Sequence, residues 1–255
     1  MLKRISKIPV AVLGTGNIGC DLLVKVVKSK YLECVIFSGQ REDSPGIAFA
    51  KSLKVPTSTK SIEGVLEVES DIVFDCTTAE SAKKHARLLK DRFTIDMTPS
   101  HIGRMCIPIL NLEECLKERN VNLISCGAQA TIPLISMLEG PTYVEIVSSV
   151  ASKSAGIGTR DNIDQYTQIT SEAISQFCNV RSKAIVILNP VEPPIIMHNT
   201  IYSQGAKVPD LTRIVKAMKK YVPGYQLTLK PTKEKNRLTF MNEVLGQGDY
   251  LPPYA

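Results

Sequence analysis

The chain has 255 residues, of which 44% are hydrophobic and 22% charged, and its formal net charge is +6. This composition is that of a globular protein long enough for one large domain or two small ones, and no apolar run reaches the roughly 20 residues that a membrane-spanning helix needs. Because the chain lacks Trp and its lysines are scattered, we expect neither a nucleic acid nor a membrane as a partner.

The cysteines and the N-terminus indicate the compartment. The seven cysteines are widely spaced, and none of them form a Cys-x-x-Cys pair. This pattern favours neither a disulfide framework nor a zinc site, and we expect no metal. The N-terminus is basic, but a short strand-like run follows it rather than a long apolar segment with a cleavage site. The sequence therefore predicts a protein of the reducing cytoplasm.

The first half of the chain alternates short apolar runs with helical patterns. A strand at 8–13 is followed by a helix whose apolar residues recur at helical spacing. Further strands are predicted at 34–37, 71–75, 93–96 and 121–125, with a helix at 80–91 among the intervening segments. Uniformly apolar strands separated by helices indicate a parallel sheet that is covered on both faces.

The pattern changes beyond Cys126, where we place the boundary between two domains, residues 1–126 and 127–255. A partly alternating strand is predicted at 142–152 and an amphipathic helix at 161–177. These are followed by strands at 184–188 and 195–202, a helix at 209–222, and two late strands around Leu227 and Phe240 joined by a polar turn at 233–236. Because strands outnumber helices here, we expect a mixed or antiparallel sheet.

A Gly-x-Gly-x-x-Gly string, Gly14-Thr15-Gly16-Asn17-Ile18-Gly19, directly follows the first strand and opens an amphipathic helix. In this context the glycines permit a tight turn and a close backbone approach. The helix N-terminus offers N–H groups and a positive dipole end to a pyrophosphate. The string by itself is compatible with a plain strand–turn–helix, but its position after a strand favours a dinucleotide site.

The end of the second strand bears on the choice between NAD and NADP. No acidic residue that would hold the ribose hydroxyls follows directly, since the sequence is Phe37-Ser38-Gly39-Gln40. Arg41 and Ser44, a little further on, suit a 2′-phosphate and hence NADP. They equally suit a solvated loop beside a ribose that the backbone holds, so both cofactors stay open.

Cys126 is the candidate nucleophile. It follows the strand predicted at 121–125 and precedes a small-residue turn, 127–133, that leads into a helix. Ligands gather beyond the carboxyl ends of parallel strands, and a helix N-terminus stabilises a thiolate, so we expect the pKa of the Cys126 thiol to lie below that of a free thiol. The alternative is a buried structural cysteine, which is our interpretation of Cys20, Cys34, Cys76, Cys115 and Cys178.

The segment Ser125-Cys126-Gly127-Ala128-Gln129-Ala130-Thr131-Ile132-Pro133 resembles the catalytic-cysteine segment of the acylating acetaldehyde dehydrogenases, the partners of 4-hydroxy-2-oxovalerate aldolase. The resemblance extends over nearly the whole chain, through residues 14–19, 96–99, 102–103, 152–160, 162–164, 188–194, 221–225 and 250–255. It implies an α/β protein with an N-terminal Rossmann-type parallel sheet and a C-terminal α+β mixed-sheet domain. The second domain would resemble the catalytic domain of the semialdehyde and glyceraldehyde-phosphate dehydrogenases.

The resemblance also implies a chemistry. The Cys126 thiolate captures a small aldehyde, a hydride passes from the hemithioacetal to NAD or NADP, and coenzyme A attacks the thioester that remains. Of the two dinucleotides, the resemblance favours NAD. Residues 1–126 would bind the dinucleotide, and residues 127–255 would carry catalysis and dimerisation in a homodimer, with an aldolase as a candidate partner.

The resemblance assigns roles to three further residues. Asn162 would lie in the active-site and nicotinamide region, and Thr77 and Ser100 would lie near the cofactor. The alternative interpretations are a helix-start cap for Asn162 and turn hydroxyls for the other two. Two histidines have no assigned role: we interpret His85 as an exposed helix residue and His101 as a loop residue.

Two departures from the family pattern concern the site. Family members usually have Arg-Asp where this chain has His198-Asn199, and the resemblance assigns that Asp to proton transfer. Asn199 cannot act as a base, whereas a histidine such as His198 can, although neighbours on a strand point to opposite faces. The family pattern also continues beyond Tyr254-Ala255 with Gly-Asn-Leu-Asp-Ile-Met-Thr and a helix. We therefore interpret the chain as a diverged member without the usual C-terminal segment.

Three functions are compatible with these features. The first is an NAD(P)-dependent acylating aldehyde dehydrogenase, which interconverts a small aldehyde and its acyl-CoA thioester. The second is another reaction of Cys126, such as acyl transfer, thioester hydrolysis or oxidation of an aldehyde to the free acid. The third is a non-catalytic scaffold or aldolase-binding subunit. Cys126 and the glycine turn favour the first two, whereas Asn199 and the C-terminal departure favour the latter two.

Overall fold

The computed structural model describes residues 7–207, 209–220, 222–246 and 248–252, which fall into two compact units. The first unit comprises the described residues up to Arg104 together with Cys115–Asn122. The second comprises Met105–Glu114 and the described residues from Leu123 onwards. The basic N-terminus, Tyr221 in a predicted helix and the segment Tyr254-Ala255 lie outside the described residues.

Short strands and helices alternate in the first half of the chain, as predicted. The strands are β1 (Ile8–Leu13), β2 (Leu32–Ser38), β3 (Thr57–Ser58), β4 (Ile72–Asp75), β5 (Phe93–Asp96), β6 (Arg104–Met105) and β7 (Asn120–Asn122). The helices are α1 (Asn17–Lys28), α2 (Pro45–Ser52), α3 (Ile62–Leu66) and α4 (Ala79–Leu88). The strand order is β3-β2-β1-β4-β5-β7-β6, with parallel pairing from β3 through to β7.

This sheet confirms the predicted Rossmann-type architecture. Its strand order reverses at β1, because β2 and β3 extend from one side of β1 while β4 and β5 extend from the other. In doubly wound sheets, ligands bind beyond the carboxyl ends of the strands at such a reversal. Val10, Ala11, Val12 and Leu13 of β1 have no exposed surface, as a strand covered on both faces requires.

Three details of the first half differ from the sequence prediction. The strand predicted at 121–125 ends at Asn122, and Ile124 has a φ of 66°, which an extended strand does not allow. The helix predicted at 80–91 ends three residues earlier than expected, at Leu88. The expectation of an exposed His85 is wrong, because its side chain turns inward and contacts Asp75.

The second unit contains a mixed sheet and the helices that pack on it. Its strands are β8 (Tyr143–Ala151), β9 (Arg181–Asn189), β10 (Met197–Gln204), β11 (Gly224–Glu234) and β12 (Arg237–Leu245). Its helices are α5 (Pro108–Cys115), α6 (Cys126–Ile135), α7 (Ile157–Asp161), α8 (Ile163–Cys178) and α9 (Thr212–Met218). The strand order is β11-β12-β10-β8-β9, antiparallel except for the parallel pair β8–β9, which α8 connects. The prediction of a mixed sheet is confirmed.

One face of this sheet is buried and the other is partly exposed. Ile146 on β8, Ile201 on β10 and Phe240 on β12 have no exposed surface, and they belong to one apolar core with residues of α6 and α8. The residues between them along each strand are partly exposed, as the alternation of side chains in a strand dictates. None of the helices in the described part of the chain could span a membrane.

Candidate active site

The glycine turn joins β1 to α1 in the first unit, as predicted. Gly14 has a φ of 107°, and a Cβ atom there would lie 2.5 Å from the carbonyl oxygen of Cys76. A Cβ atom at Gly19 would lie 1.9 Å from the carbonyl oxygen of Gly14. Both positions require glycine, Gly14 for its backbone conformation and Gly19 for the close approach of the helix to the turn.

Gly16 differs from the other two glycines, because a Cβ atom there would meet no protein atom within 4 Å. It is the N-cap residue of α1, whose first turn contains no acidic side chain. The N–H groups of Asn17 and Ile18 belong to that first turn, in which N–H groups have no helical acceptors. Open space in front of such a helix end fits the pyrophosphate of a dinucleotide.

Arg41 and Ser44 lie in one turn after β2, where the N–H of Ser44 donates to the carbonyl oxygen of Arg41. The Arg41 side chain is exposed, and its Nε lies 3.2 Å from Oδ1 of Asp43. Ser44 is buried, and its hydroxyl lies 3.0 Å from the hydroxyl of Thr15. The structure therefore ties Ser44 to the glycine turn and leaves the charge of Arg41 at the surface.

Thr77 lies beside the glycine turn, since its backbone nitrogen is 3.0 Å from the position that a Cβ atom of Gly14 would take. Asp75 orients it: both the hydroxyl and the N–H of Thr77 donate to Oδ1 of Asp75. The other carboxylate oxygen of Asp75 lies 2.7 Å from Nδ1 of His85, and both side chains are buried. Sequence reasoning missed this pair. The available signal was an acid at the end of an otherwise apolar strand.

Ser100 belongs to a second buried carboxylate cluster. Its hydroxyl donates to Oδ2 of Asp96, which also accepts from Nδ2 of Asn122 at 3.0 Å, while the Thr98 N–H donates to Oδ1 at 2.7 Å. The pKa of Asp96 is raised from 3.8 to about 6, mainly because the carboxyl is buried. Hydrogen bonds from Ser100 and Thr98 oppose this rise, and Asp75 on the neighbouring strand adds to it. The Ser100 hydroxyl therefore serves this network.

Cys126 is the first residue of α6, at the helix N-terminus where the sequence predicted it. Ile124 has a φ of 66°, an unfavourable conformation for a β-branched residue, while its side chain is buried in the core. Ser125 caps the helix by accepting a 3.0 Å hydrogen bond from the N–H of Ala128, and its hydroxyl lies 2.6 Å from that of Thr170. This turn ends the strand and leaves Cys126 exposed.

The hydroxyl of Tyr166 reaches the start of α6 from α8. Its Oη lies 3.5 Å from Sγ of Cys126 and accepts a 2.9 Å hydrogen bond from the N–H of Gly127. Sequence reasoning predicted the amphipathic helix that carries Tyr166 and missed this contact. The available signal was the hydroxyl itself, since a buried tyrosine needs a hydrogen-bond partner.

The pKa of the Cys126 thiol corrects an expectation. Although the residue is exposed, protein atoms surround the thiol closely enough for desolvation to raise its pKa from the ordinary value of 9.0. The hydroxyl of Tyr166 and the backbone N–H groups of Gly127 and Cys126 act in the opposite direction. The expectation of a thiol pKa below that of a free thiol is therefore wrong for the protein without ligands, because desolvation outweighs the donors at the helix N-terminus.

Asn199 is completely buried on the face of β10 that packs against the core. Ser148, its neighbour in register on β8, donates a 2.7 Å hydrogen bond to Oδ1 of Asn199. Ser148 also lies close to the start of α6, since a Cβ atom on Gly127 would be 2.9 Å from its hydroxyl. Asn199 thus reaches the Cys126 helix through Ser148, and its Nδ2 has no hydrogen-bond partner among the described residues.

His198 lies on the opposite face of the same strand. Its Nδ1 is 3.0 Å from Oε1 of Glu243, its neighbour in register on β12, and its side chain is 37% exposed. Because side chains alternate along a strand, the face that carries His198 is not the face that packs against α6. The structure does not bring His198 to Cys126, which argues against the predicted role of His198 as a general base.

Asn162 is buried at the junction of α7 and α8, where its carbonyl oxygen accepts a 2.8 Å hydrogen bond from the N–H of Tyr166. It occupies the N-cap position of α8, but its side chain makes no capping hydrogen bond. Helix capping therefore does not explain why this residue is an asparagine. The backbone of Asn162 is thus joined to Tyr166, the residue whose hydroxyl contacts Cys126.

The fold has clear structural relatives. The aspartate semialdehyde dehydrogenase II of Vibrio cholerae superposes with a TM-score of 0.66 and 10% identity, over 94% of this chain and 93% of that one. A probable aspartate-semialdehyde dehydrogenase from Pseudomonas aeruginosa gives a TM-score of 0.60 over the same shares. A Rossmann-type unit followed by a mixed-sheet unit is thus a fold that this chain shares with these semialdehyde dehydrogenases.

Sequence comparison identifies the family. Residues 126–252 match the family model described as prokaryotic acetaldehyde dehydrogenase, dimerisation. Acetaldehyde dehydrogenases of Pectobacterium atrosepticum and Geobacillus stearothermophilus are each 43% identical, over 98% of this chain and 90% of their own length. The chain therefore belongs to the acetaldehyde dehydrogenase family.

Proposed function

We propose that the protein is an NAD(P)-dependent acylating aldehyde dehydrogenase with Cys126 as its nucleophile. The observation that carries this proposal is the setting of the thiol. All seven cysteines lie in the described part of the chain, and Cys126 is the one that is exposed. It is also the one at the N-terminus of a helix, where backbone N–H groups stabilise a thiolate.

The reaction begins when the Cys126 sulfur attacks the carbonyl carbon of a small aldehyde. A carbon–sulfur bond forms, and the carbonyl oxygen gains negative charge. The side-chain amide of Asn162 is our candidate donor to that oxygen, because Asn162 is buried and its backbone is hydrogen-bonded to Tyr166, whose hydroxyl contacts Cys126. A bound nicotinamide supplies the acceptor for the hydride that leaves the carbon. The resulting thioester is attacked by the thiol of coenzyme A, and Cys126 departs as a thiolate.

The first unit would hold the dinucleotide, with the pyrophosphate at the N-terminus of α1 in front of Gly16. The open space at Gly16 and the absence of an acid from the first helical turn support this placement. Thr77, held by Asp75 beside Gly14, would line the same site. The coenzyme A step and an aldolase that delivers the aldehyde belong to the proposal through the resemblance of the cysteine segment.

The partly exposed face of the second sheet would form a homodimer. One row of side chains crosses that face, because four residues are neighbours in register across β9, β8, β10 and β12: Ile185, Val147, Thr200 and Met241. The match of residues 126–252 to a dimerisation model supports this use of the second unit. In sedimentation experiments, Val147→Lys should convert a dimer to a monomer, whereas Lys84→Ala at an exposed helix position of the first unit should not.

The experiment that tests the enzyme assignment follows nicotinamide reduction and acylation together. The protein is mixed with acetaldehyde, coenzyme A and either dinucleotide, while absorbance reports reduction and mass spectrometry locates any adduct. We expect reduction and a thioester on Cys126, both lost in Cys126→Ser and retained in the control Cys178→Ser from the same unit. Reduction that survives Cys126→Ser, or an adduct on another residue, would contradict the proposal.

A further inference from the structure

Tyr166 carries its hydroxyl on the largely apolar buried side of α8. Its neighbours on the same helical stripe, Ile169, Ala173 and Ile174, are completely buried and pack in the core of the second unit. Phenylalanine would fill this core equally well. The hydroxyl of a buried tyrosine costs free energy unless it is hydrogen-bonded, so its partners indicate its purpose.

The direction of the hydrogen bonds that join this hydroxyl to Gly127 and Cys126 can be assigned. The N–H of Gly127 is a donor only, so Oη of Tyr166 accepts in the 2.9 Å bond between them. The Ser125 hydroxyl also hydrogen-bonds to Tyr166 and lowers its pKa, as a donor to the phenol oxygen does. The hydroxyl proton of Tyr166 can then be donated to Sγ of Cys126, at 3.5 Å. A thiolate at Cys126 has no proton to give, and it would therefore accept from Tyr166.

The glycine at position 127 leaves room for the Tyr166 hydroxyl to reach the start of α6. A Cβ atom on Gly127 would lie 2.4 Å from Oη of Tyr166 and 2.9 Å from the hydroxyl of Ser148. A side chain at position 127 would have to displace the tyrosine hydroxyl. Gly127 thus serves both as the N–H donor that orients the hydroxyl and as the residue that leaves room for it.

We propose that Tyr166 is a catalytic residue that donates a hydrogen bond to the sulfur of Cys126 whenever that sulfur carries negative charge. This inference rests on the proposed function, in which Cys126 is the nucleophile. The charge arises twice, when the thiol loses its proton to solvent before attack and when the carbon–sulfur bond of the thioester breaks. Tyr166 keeps its own proton throughout, so it stabilises the thiolate and is not a base.

The surroundings of the pair make this donor important. Ser125 and Thr170 beside it, and Ser148 and Asn199 on the sheet beneath α6, are all neutral. Among the described residues, no charged side chain contributes to the pKa of either Cys126 or Tyr166, each of which is influenced by the other. Burial raises the pKa of Tyr166 well above its ordinary value, which keeps the hydroxyl protonated. A thiolate here therefore depends on neutral donors.

The test measures the alkylation rate of Cys126 by iodoacetamide as a function of pH, with mass spectrometry locating the modified residue. Tyr166→Phe should raise the apparent pKa of the Cys126 thiol by about one pH unit or more, because a hydrogen bond to a charged sulfur is lost. Tyr31→Phe, which removes a hydroxyl from an exposed residue, should leave this pKa unchanged. In turnover with aldehyde, kcat of Tyr166→Phe should fall about tenfold at neutral pH, and the loss should shrink as pH rises.

A second variant separates the hydroxyl from the fold. Gly127→Ala keeps Tyr166 but displaces its hydroxyl, so it should raise the thiol pKa in the same direction. Unchanged thiol titration in both variants, with thermal unfolding that shows them folded, would overturn the inference while leaving the proposed function intact. A raised pKa in both variants together with no aldehyde turnover in the wild-type protein would support Tyr166 as the donor and overturn the dehydrogenase assignment.

Discussion

The Ser148 hydroxyl donates a 2.7 Å hydrogen bond to Oδ1 of Asn199 across two neighbouring strands, and both side chains are completely buried. The resemblance drawn from the sequence implies an aspartate at this position in the family. In this chain the position is therefore a neutral acceptor for Ser148, and Nδ2 of Asn199 faces the interior without a partner among the described residues.

Asn199→Asp should destabilise the protein in a pH-dependent way. The new carboxyl would have one donor, Ser148, and burial would raise its pKa, so the folded state would bind its proton more tightly than the unfolded chain. Stability should then fall as pH rises, by about 3 to 5 kcal/mol once the buried group is charged. Thermal unfolding between pH 5 and about 8 measures this. Gln204→Glu, at the exposed end of the same strand, is the control, and an equal slope in both variants would contradict the prediction.

The glycine turn allows fold and binding to be tested separately. Gly16→Val should leave thermal stability close to that of the wild type, because a Cβ atom there meets no protein atom within 4 Å. The added side chain should nevertheless lower dinucleotide affinity by at least about tenfold, or about 1.4 kcal/mol. Gly19→Ala should destabilise the first unit instead, since its Cβ would lie 1.9 Å from the Gly14 carbonyl oxygen. Calorimetric titration with each dinucleotide and thermal unfolding distinguish the two. Unchanged affinity in Gly16→Val would remove the proposed pyrophosphate site.

Arg41 tests the choice of dinucleotide. Its guanidinium is exposed in the turn that follows β2, and among the described residues its ion-pair partner is Asp43. If a 2′-phosphate binds there, Arg41→Ala should weaken NADP by about tenfold or more and leave NAD nearly unchanged. The matched control is Lys60→Ala, which removes an exposed cation paired with Glu67. Equal losses for the two cofactors would make Arg41 a surface residue without a role in selection.

Asp96 should give the first unit a measurable pH dependence. Folding raises its pKa from 3.8 to about 6, so the folded state binds the proton more tightly. The stabilisation is complete below pH 3.8 and is lost as pH rises through about 6, a change of about 3 kcal/mol. Asp96→Asn should remove this slope from thermal unfolding curves, whatever it does to stability at a single pH. Asp91→Asn, an exposed carboxyl, should keep the wild-type slope, and an unchanged slope in Asp96→Asn would contradict the assignment.

The architecture was predictable because it depends on local patterns. Fully apolar runs such as Val10–Leu13 indicate buried parallel strands, and the glycine string after this run predicted the position of the turn. The thiol at a helix start was predictable for the same reason, since small residues follow Cys126. These features need no knowledge of distant contacts.

The parts of the site that escaped prediction depend on distant contacts. His85 on a helix among charged neighbours indicates exposure, and only the carboxylate of Asp75 explains why it turns inward. The contact between Tyr166 and Cys126 joins residues 40 positions apart, which periodicity does not report. Ile124 favours a strand by its branched side chain, yet the turn before Cys126 imposes a φ of 66°. In each case a tertiary partner overrides a local preference.

The turn at Ile124 makes Cys126 a reporter of the state of the second unit. An isoleucine holds this left-handed conformation because its side chain is anchored in the core, so the strain is maintained by packing at some distance from the thiol. Local loosening of that core would let the backbone relax towards the extended form and shift the start of α6. We therefore expect the alkylation rate of Cys126 to change at denaturant concentrations below those that unfold the sheet, which gives an early chemical signal of local opening that spectroscopy of the whole fold would miss.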